Sequence, residues 1–153
     1  MPGSAEPSIM LKEAGLRPTS ARQRVLSSLQ TAGRALSHRD LVDLLSGLDR
    51  VTIFRSLKNL KKVRLVHSVQ GIDRMLRYFI NPAEKRRCPG GHPHFLCQKC
   101  GGMFCLTDQD MPMVNVPSGA EVHGKQFLVY GVCPSCASKR ARSAPRSGRG
   151  VTK

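Results

Sequence analysis

Two C-x-x-C pairs, Cys97–Cys100 and Cys133–Cys136, constrain this chain more than any other feature, because each sets two thiols on one tight turn. Both thiolates of such a turn can reach one Zn²⁺ at the ~2.3 Å of a Zn–S bond, and two pairs close a tetrahedron with no open position. A closed site is structural, and in a small β unit with little core the metal supplies much of the folding free energy. The competing reading of C-x-x-C is a thioredoxin-like redox motif, which belongs beside a βαβ pattern. Here the pair occurs twice and no βαβ pattern surrounds it.

The segment "CPGGHPHFLCQKCGGMFC", residues 88–105, carries further ligand-type residues: Cys88, His92, His94 and Cys105. His92 and His94 lie two apart, on one side of an extended strand, whereas Cys97 lies an odd number of positions further on. That parity separates the histidines from the four-cysteine site. Cys88 and the histidines bracket a Gly-Gly turn and can converge on a second ion; the alternative is surface histidines and a spare thiol. A mixed sulfur/nitrogen set suits Zn²⁺, while the hard oxygen ligands favoured by Fe²⁺ or Mn²⁺ are scarce. Upstream, His67 and Asp73 are two further ligand-type residues.

The N-terminal half reads as short helices. "LKEAGLR" is a helical turn or two ending near Pro18, and Thr19 or Ser20 can cap "ARQRVLSSLQTA", with Val25, Leu26 and Leu29 as its apolar stripe and Gly33 as its stop. "LSHRDLVDLLSG" opens on Ser37 with Asp40 three residues on, close to a capping box, and is expected to turn Leu41, Leu44 and Leu45 inward. Asp49 can cap "RVTIFRSLKNLKKV", whose inner face is Ile53, Leu57 and Leu60. Its other face, Thr52, Arg55, Ser56, Asn59 and Lys62, is polar and basic. "RLVHSV" and "MLRYFI", joined by "QGIDR", read as a hairpin. Three helices followed by a hairpin is the order of a winged helix-turn-helix. The basic face is then either a solvated surface or a DNA-reading one.

Charge favours the second. The chain carries 25 Lys+Arg against 10 Asp+Glu, formally +15, which points to an anionic partner such as nucleic acid. The last sixteen residues hold six of those basic side chains, no acidic one, and the Ser/Gly/Pro content of a disordered tail, leaving about +9 on the rest. No apolar run is long enough to span a membrane, and "MPGSAEPSIM" lacks the pattern of a secretory signal, so the sequence reads as cytoplasmic. "HFLCQKC", "MFCL" and "KQFLVYGVC" read as short strands, with "DQDMPMVNVPSGAE" an irregular connection.

With "LKEAGLRPTSARQRVL", "RVTIFRSLKNL", "HPHFLCQKCG" and "FLVYGVCPSC" in view, the chain resembles the ferric uptake regulator (Fur) superfamily of bacterial metal-responsive repressors over roughly residues 10–137. It is most similar to the zinc uptake regulator branch. The resemblance implies an α+β fold: an N-terminal winged helix-turn-helix at 1–80, a hinge at 81–87, and a small zinc-bound β-rich dimerisation domain at 88–137. The basic tail follows at 138–153. It implies structural zinc on Cys97, Cys100, Cys133 and Cys136. It also implies a regulatory metal, a second Zn²⁺ or another divalent ion, on Cys88, His92 or His94, His67 and Cys105, with Asp73 matching a carboxylate used by some zinc-type relatives. Iron-type members use a His and a Glu where Ala35 and Phe79 stand here, which weakens an iron reading. Phe54 and Arg55 match a Tyr-Arg pair that contacts DNA, Phe54 keeping the ability to pack on a thymine methyl, and Arg17 matches a basic residue that reaches the minor groove. Relatives carry a long amphipathic helix between the cysteine pairs; Pro112 and Pro117 argue against one here.

The expectation is a homodimeric, zinc-responsive repressor of metal-homeostasis genes that binds an A/T-rich palindrome of double-stranded DNA. Arg55, Thr52 and Ser56 would read bases, and Lys58 and Lys62 would neutralise phosphates. The rivals are the same fold answering to iron or another divalent metal, and a constitutive zinc-ribbon nucleic-acid binder. An enzyme is the weakest reading, since the sequence has no H-E-x-x-H and no deaminase-type arrangement.

Overall fold

The computed structural model describes residues 5–81 and 92–143, with side chains through 139. Cys88, most of the expected hinge, and residues 144–153 of the expected tail lie outside the described residues.

Helix α1 (Pro7–Glu13) begins on a proline, whose missing N–H costs nothing in a first turn, and the chain leaves it at Gly15 with φ +73°. It therefore starts earlier than "LKEAGLR" and ends sooner. Helix α2 (Ser20–Ala32) is capped by Thr19, whose hydroxyl accepts from the N–H of Arg22, and stops at left-handed Gly33. A two-residue strand, β1 (Leu36–Ser37), leads into α3 (His38–Leu44), where Ser37 and Asp40 form a full capping box. Helix α4 (Arg50–Lys62) is capped by Asp49, which accepts from both the N–H and the hydroxyl of Thr52 at 2.8 and 2.6 Å.

Strands β2 (Val66–Gln70) and β3 (Leu76–Ile80) form the expected antiparallel hairpin, and β1 adds to its other side to give the order β1-β3-β2. Leu11, Val25, Leu26, Leu29, Leu41, Ile53, Leu57 and Leu60 are withdrawn from water into one core with Leu36, Val66 and Tyr78. Each such leucine is worth about 1.5–3 kcal/mol of burial. Leu44 is not among them. It is 59% exposed, because Leu41 and Leu45, one turn apart, are the residues of α3 that meet the core. Ser56 also departs from its expected face. It lies on the Ile53–Leu57–Leu60 seam, 5% exposed, with its hydroxyl donated to the Thr52 carbonyl at 2.8 Å.

The second sheet holds β4 (His94–Cys97), β5 (Met103–Cys105) and β6 (Leu128–Gly131) in the order β5-β4-β6. Strand β5 runs antiparallel to β4 and β6 parallel to it. A parallel neighbour needs a long crossover, and 106–127 supplies it with neither helix nor strand. Because Cys105 and Leu128 both pair with His94, that crossover leaves and returns at the His94 end of the sheet. Helix α5 (Pro134–Ser143) closes the chain, so residues 138–143 are helical where the composition suggested a disordered tail. Pro134 starts this helix, and the Ala, Lys and Arg that follow are good helix formers.

The two sheets share a small second core of Ala35, Val69 and Phe79 from one half with Leu96 and Met103 from the other. The N–H of Ala35 donates to the Met103 carbonyl across this junction at 3.3 Å.

Candidate metal centre

Cys97 ends β4, Cys100 follows in the turn, Cys133 precedes α5 and Cys136 lies in its first turn. Their four sulfur atoms lie within 4.8 Å of one another, with Cys100 and Cys133 3.9 Å apart. Four Zn–S bonds of ~2.3 Å put tetrahedral sulfurs about 3.8 Å apart, so the spacing fits a Zn(Cys)₄ site. The backbone N–H of Cys133 donates to the Cys97 sulfur at 3.3 Å. That bond, with the N–H of Cys100, holds the Cys97 thiol down at about 6, while hydrogen bonding with Cys133, then burial, pushes Cys136 up to about 12. Without a cation such a cluster cannot carry four negative charges. A divalent ion removes that conflict.

A second set of four ligand atoms, from His67, His92, His94 and Cys105, also lies within 4.8 Å. His94 and Cys105 are direct cross-strand partners on β4 and β5, and His92 lies two residues before His94, its ring 4.6 Å away. His67 comes from the other half, on β2. Its ring stacks on Phe79 at 5.0 Å, nearly parallel. Its Nδ1 bonds Asn81 Oδ1 at 2.5 Å, and Asn81 Nδ2 donates to the Arg64 carbonyl at 2.7 Å, which orients the amide. His67 is thereby set to donate from Nδ1 and to turn a bare Nε2 toward the cluster, 3.4 Å from His94 Nε2 and 3.9 Å from the Cys105 sulfur. Two imidazole nitrogens pointing at each other ask for a cation between them.

Burial lowers His67 below its ordinary 6.5, and burial with the neighbouring His92 and His67 drives His94 down to about 4. Both are therefore neutral near pH 7, the form that binds metal. His94 is 1% exposed and its Nδ1 finds no partner among the described residues. A cavity of about 430 Å³ opens beside the cluster, lined by His67, His92, His94 and the crossover residues His123 and Lys125.

Asp73 does not join this set. Its carboxylate pairs with Arg77 at 2.7 Å at the turn of the hairpin. Asn81, read as the start of a hinge, is 4% exposed and tied into the wing half. Nothing in the sequence marks it as a histidine-orienting residue, since its partner lies across two strands. On α4, Phe54 is 55% exposed with Arg55, Lys58 and Lys62 also open to solvent, whereas Thr52 is engaged by Asp49 and Ser56 is buried. Arg17 is exposed in the turn between α1 and α2.

The sequence pattern of the ferric uptake regulator family matches residues 13–119. The chain belongs to that family. Membership makes it a metal-responsive DNA-binding transcription regulator, not an enzyme. A ferric uptake regulation protein of Staphylococcus aureus is 27% identical over 135 residues, covering 83% of this chain and 93% of its own. Among solved structures, a zinc uptake regulator complexed with zinc and DNA superposes with a TM-score of 0.65 at 21% identity, covering 90% of this chain and 94% of that one. The Vibrio cholerae ferric uptake regulator gives 0.57 at 18% identity, covering 82% and 98%. These likenesses extend the family's fold over most of this member. No helix among the described residues is long and apolar enough to cross a membrane.

Proposed function

We propose that this family member is a zinc-responsive repressor, in which Cys97, Cys100, Cys133 and Cys136 hold a structural Zn²⁺ and His67, His92, His94 and Cys105 hold the regulatory one. The observation that carries the reading is the origin of the second set: one ligand from the DNA-binding half, three from the metal half. An ion there ties the halves together and favours the arrangement in which all four ligands converge. Three imidazoles and a thiolate, with Asp73 held elsewhere, suit Zn²⁺ better than Fe²⁺ or Mn²⁺. The likeness to a zinc uptake regulator supports the same choice.

In a homodimer, fixing the halves fixes the separation of two α4 helices, and successive major grooves on one face of DNA are about 34 Å apart. Arg55 and Phe54 then face base edges, Lys58 and Lys62 the phosphates, and Arg17 the backbone or minor groove. Cys88 lies outside the described residues and remains a further ligand by its spacing.

The test is affinity for an A·T-rich palindromic duplex across buffered free zinc, at fixed salt, with the four-cysteine site already filled. Affinity rises steeply over a narrow zinc range, and His67→Ala abolishes the rise. A flat response to zinc with a steep response to Fe²⁺ would transfer the role to iron, for which the Staphylococcus aureus relative is named. Flat responses to both leave a constitutive binder.

A further inference from the structure

Arg77 is a buried arginine, 5% exposed, that belongs to β3 but is satisfied largely by groups outside it. Its Nε donates to the carbonyl of Gly101 at 3.0 Å, in the turn that carries Cys97 and Cys100. Its other nitrogens grip the two oxygens of Asp73 at 2.9 and 2.7 Å. Asp73 also accepts the N–H of Met75 at 3.2 Å, so one carboxylate links the arginine to the hairpin turn. Two more ties hold the same turn to the metal half. Gln126 Nε2 donates to the Gln70 carbonyl at 2.8 Å, and Leu96 lies against Gly71, where an added Cβ would come within 2.7 Å of Arg77 Nη1 and 3.2 Å of Leu96.

Arg74 closes this clamped turn, its N–H donating to the Gly71 carbonyl at 2.9 Å. Its backbone is left-handed, φ +61°, a conformation that glycine or asparagine adopts far more readily. Its side chain is exposed, and no carboxylate pairs with it among the described residues. A strained position that keeps a long cation is a pointer to function.

We infer that Arg74 is a DNA-phosphate contact of the wing, and that Arg77 is its positioning residue, holding the turn in place through Asp73 and the Gly101 carbonyl. The inference rests on the DNA-binding role proposed above. It makes the cysteine-bearing turn a direct support of the wing, by a route separate from the His67 cluster. A clamped turn delivers Arg74 at a fixed distance from the recognition helix α4; a free one spreads it over many positions and forfeits the contact.

The test is the salt dependence of affinity for the same duplex, measured on the full zinc-loaded chain. Each phosphate neutralised contributes about 0.9 to the slope of log affinity against log salt. Arg74→Ala flattens the slope by about that much for each wing on the duplex. Arg77→Met flattens it equally although the residue is buried, and the double variant flattens it no further. Asp73→Asn gives an independent sign. Removing a negative charge by itself tightens DNA binding, whereas loss of the clamp weakens it and flattens the slope. An unchanged slope in Arg74→Ala, an additive double variant, or tighter binding by Asp73→Asn overturns the inference. A wild-type chain that shows no selective binding to the duplex overturns the proposed function as well.

Discussion

The two ligand clusters are built from the same kinds of residue yet differ in where those residues come from. The four cysteines all belong to the metal half and arrive as two turns, Cys97–Cys100 and Cys133–Cys136, each preset by its own backbone. The second cluster is assembled across the molecule, with His67 on β2 facing His92, His94 and Cys105 around the metal sheet. A closed cluster in one half can hold that half together but cannot report on its relation to the other. A cluster that spans both halves forms only when they meet, and so its occupancy and their arrangement are one equilibrium.

The largest expected effect removes the local cluster. Cys133→Ser leaves three thiolates, frees the zinc to a chelator, and lowers the unfolding temperature of the metal half by roughly 10 °C or more, read by calorimetry. His67→Ala sharpens the contrast. It keeps one tightly bound zinc per chain, but loses the second metal in a competition titration and at least about tenfold of the zinc-dependent gain in DNA affinity.

Protons probe the same difference. His67 and His94 are both pushed below the ordinary 6.5, His94 to about 4. Between those values the unfolded chain takes up protons that the folded chain refuses, so stability rises with pH in that window and falls as pH drops from about 6.5 toward 4. Chemical denaturation of protein with only the four-cysteine site filled shows this slope, and His67→Ala makes it shallower. Asn81→Ala acts one step further out. The His67 ring loses its orienting bond, and affinity for the second metal falls about 10- to 100-fold while the first zinc is untouched, as separate titrations report. The smallest effect lies away from both clusters. Ser37→Ala removes the capping box of α3 and costs about 1 kcal/mol in denaturant unfolding, with neither metal affinity changed.

Much of the DNA-binding half could be read in advance because its signals are local. Thr19, Ser37 and Asp49 each cap the helix that follows, and Ile53, Leu57 and Leu60 share one buried face. The departures have physical causes of equal plainness. Ser56 has the composition of a surface residue, but one turn of α4 places it on the core seam, where it bonds the Thr52 carbonyl. Leu44 is apolar yet exposed because Leu41 and Leu45, one turn apart, take the core-facing side. Residues 138–143 look like a polar tail and extend α5 instead. Asp73 has the chemistry of a ligand, but Arg77, four residues on, claims its carboxylate.

The metal half divides the same way. Two C-x-x-C turns and the parity of His92, His94 and Cys97 are properties of the chain itself and separate the ligand-type residues into two groups, while Pro112 and Pro117 speak against a helix in the crossover. Local spacing alone does not say which residues complete the second group; the family resemblance pointed to His67 and Cys105, which meet His92 and His94 beside Phe79 and Asn81 only through strand pairing and the packing of one sheet on the other. The clamp of Arg77 on Gly101 has the same origin, joining residues that no local spacing connects. Turns, caps and helical faces are decided within a few residues of backbone, where sequence acts directly. Contacts between the halves are decided by how two sheets pack, and only the tertiary structure settles that.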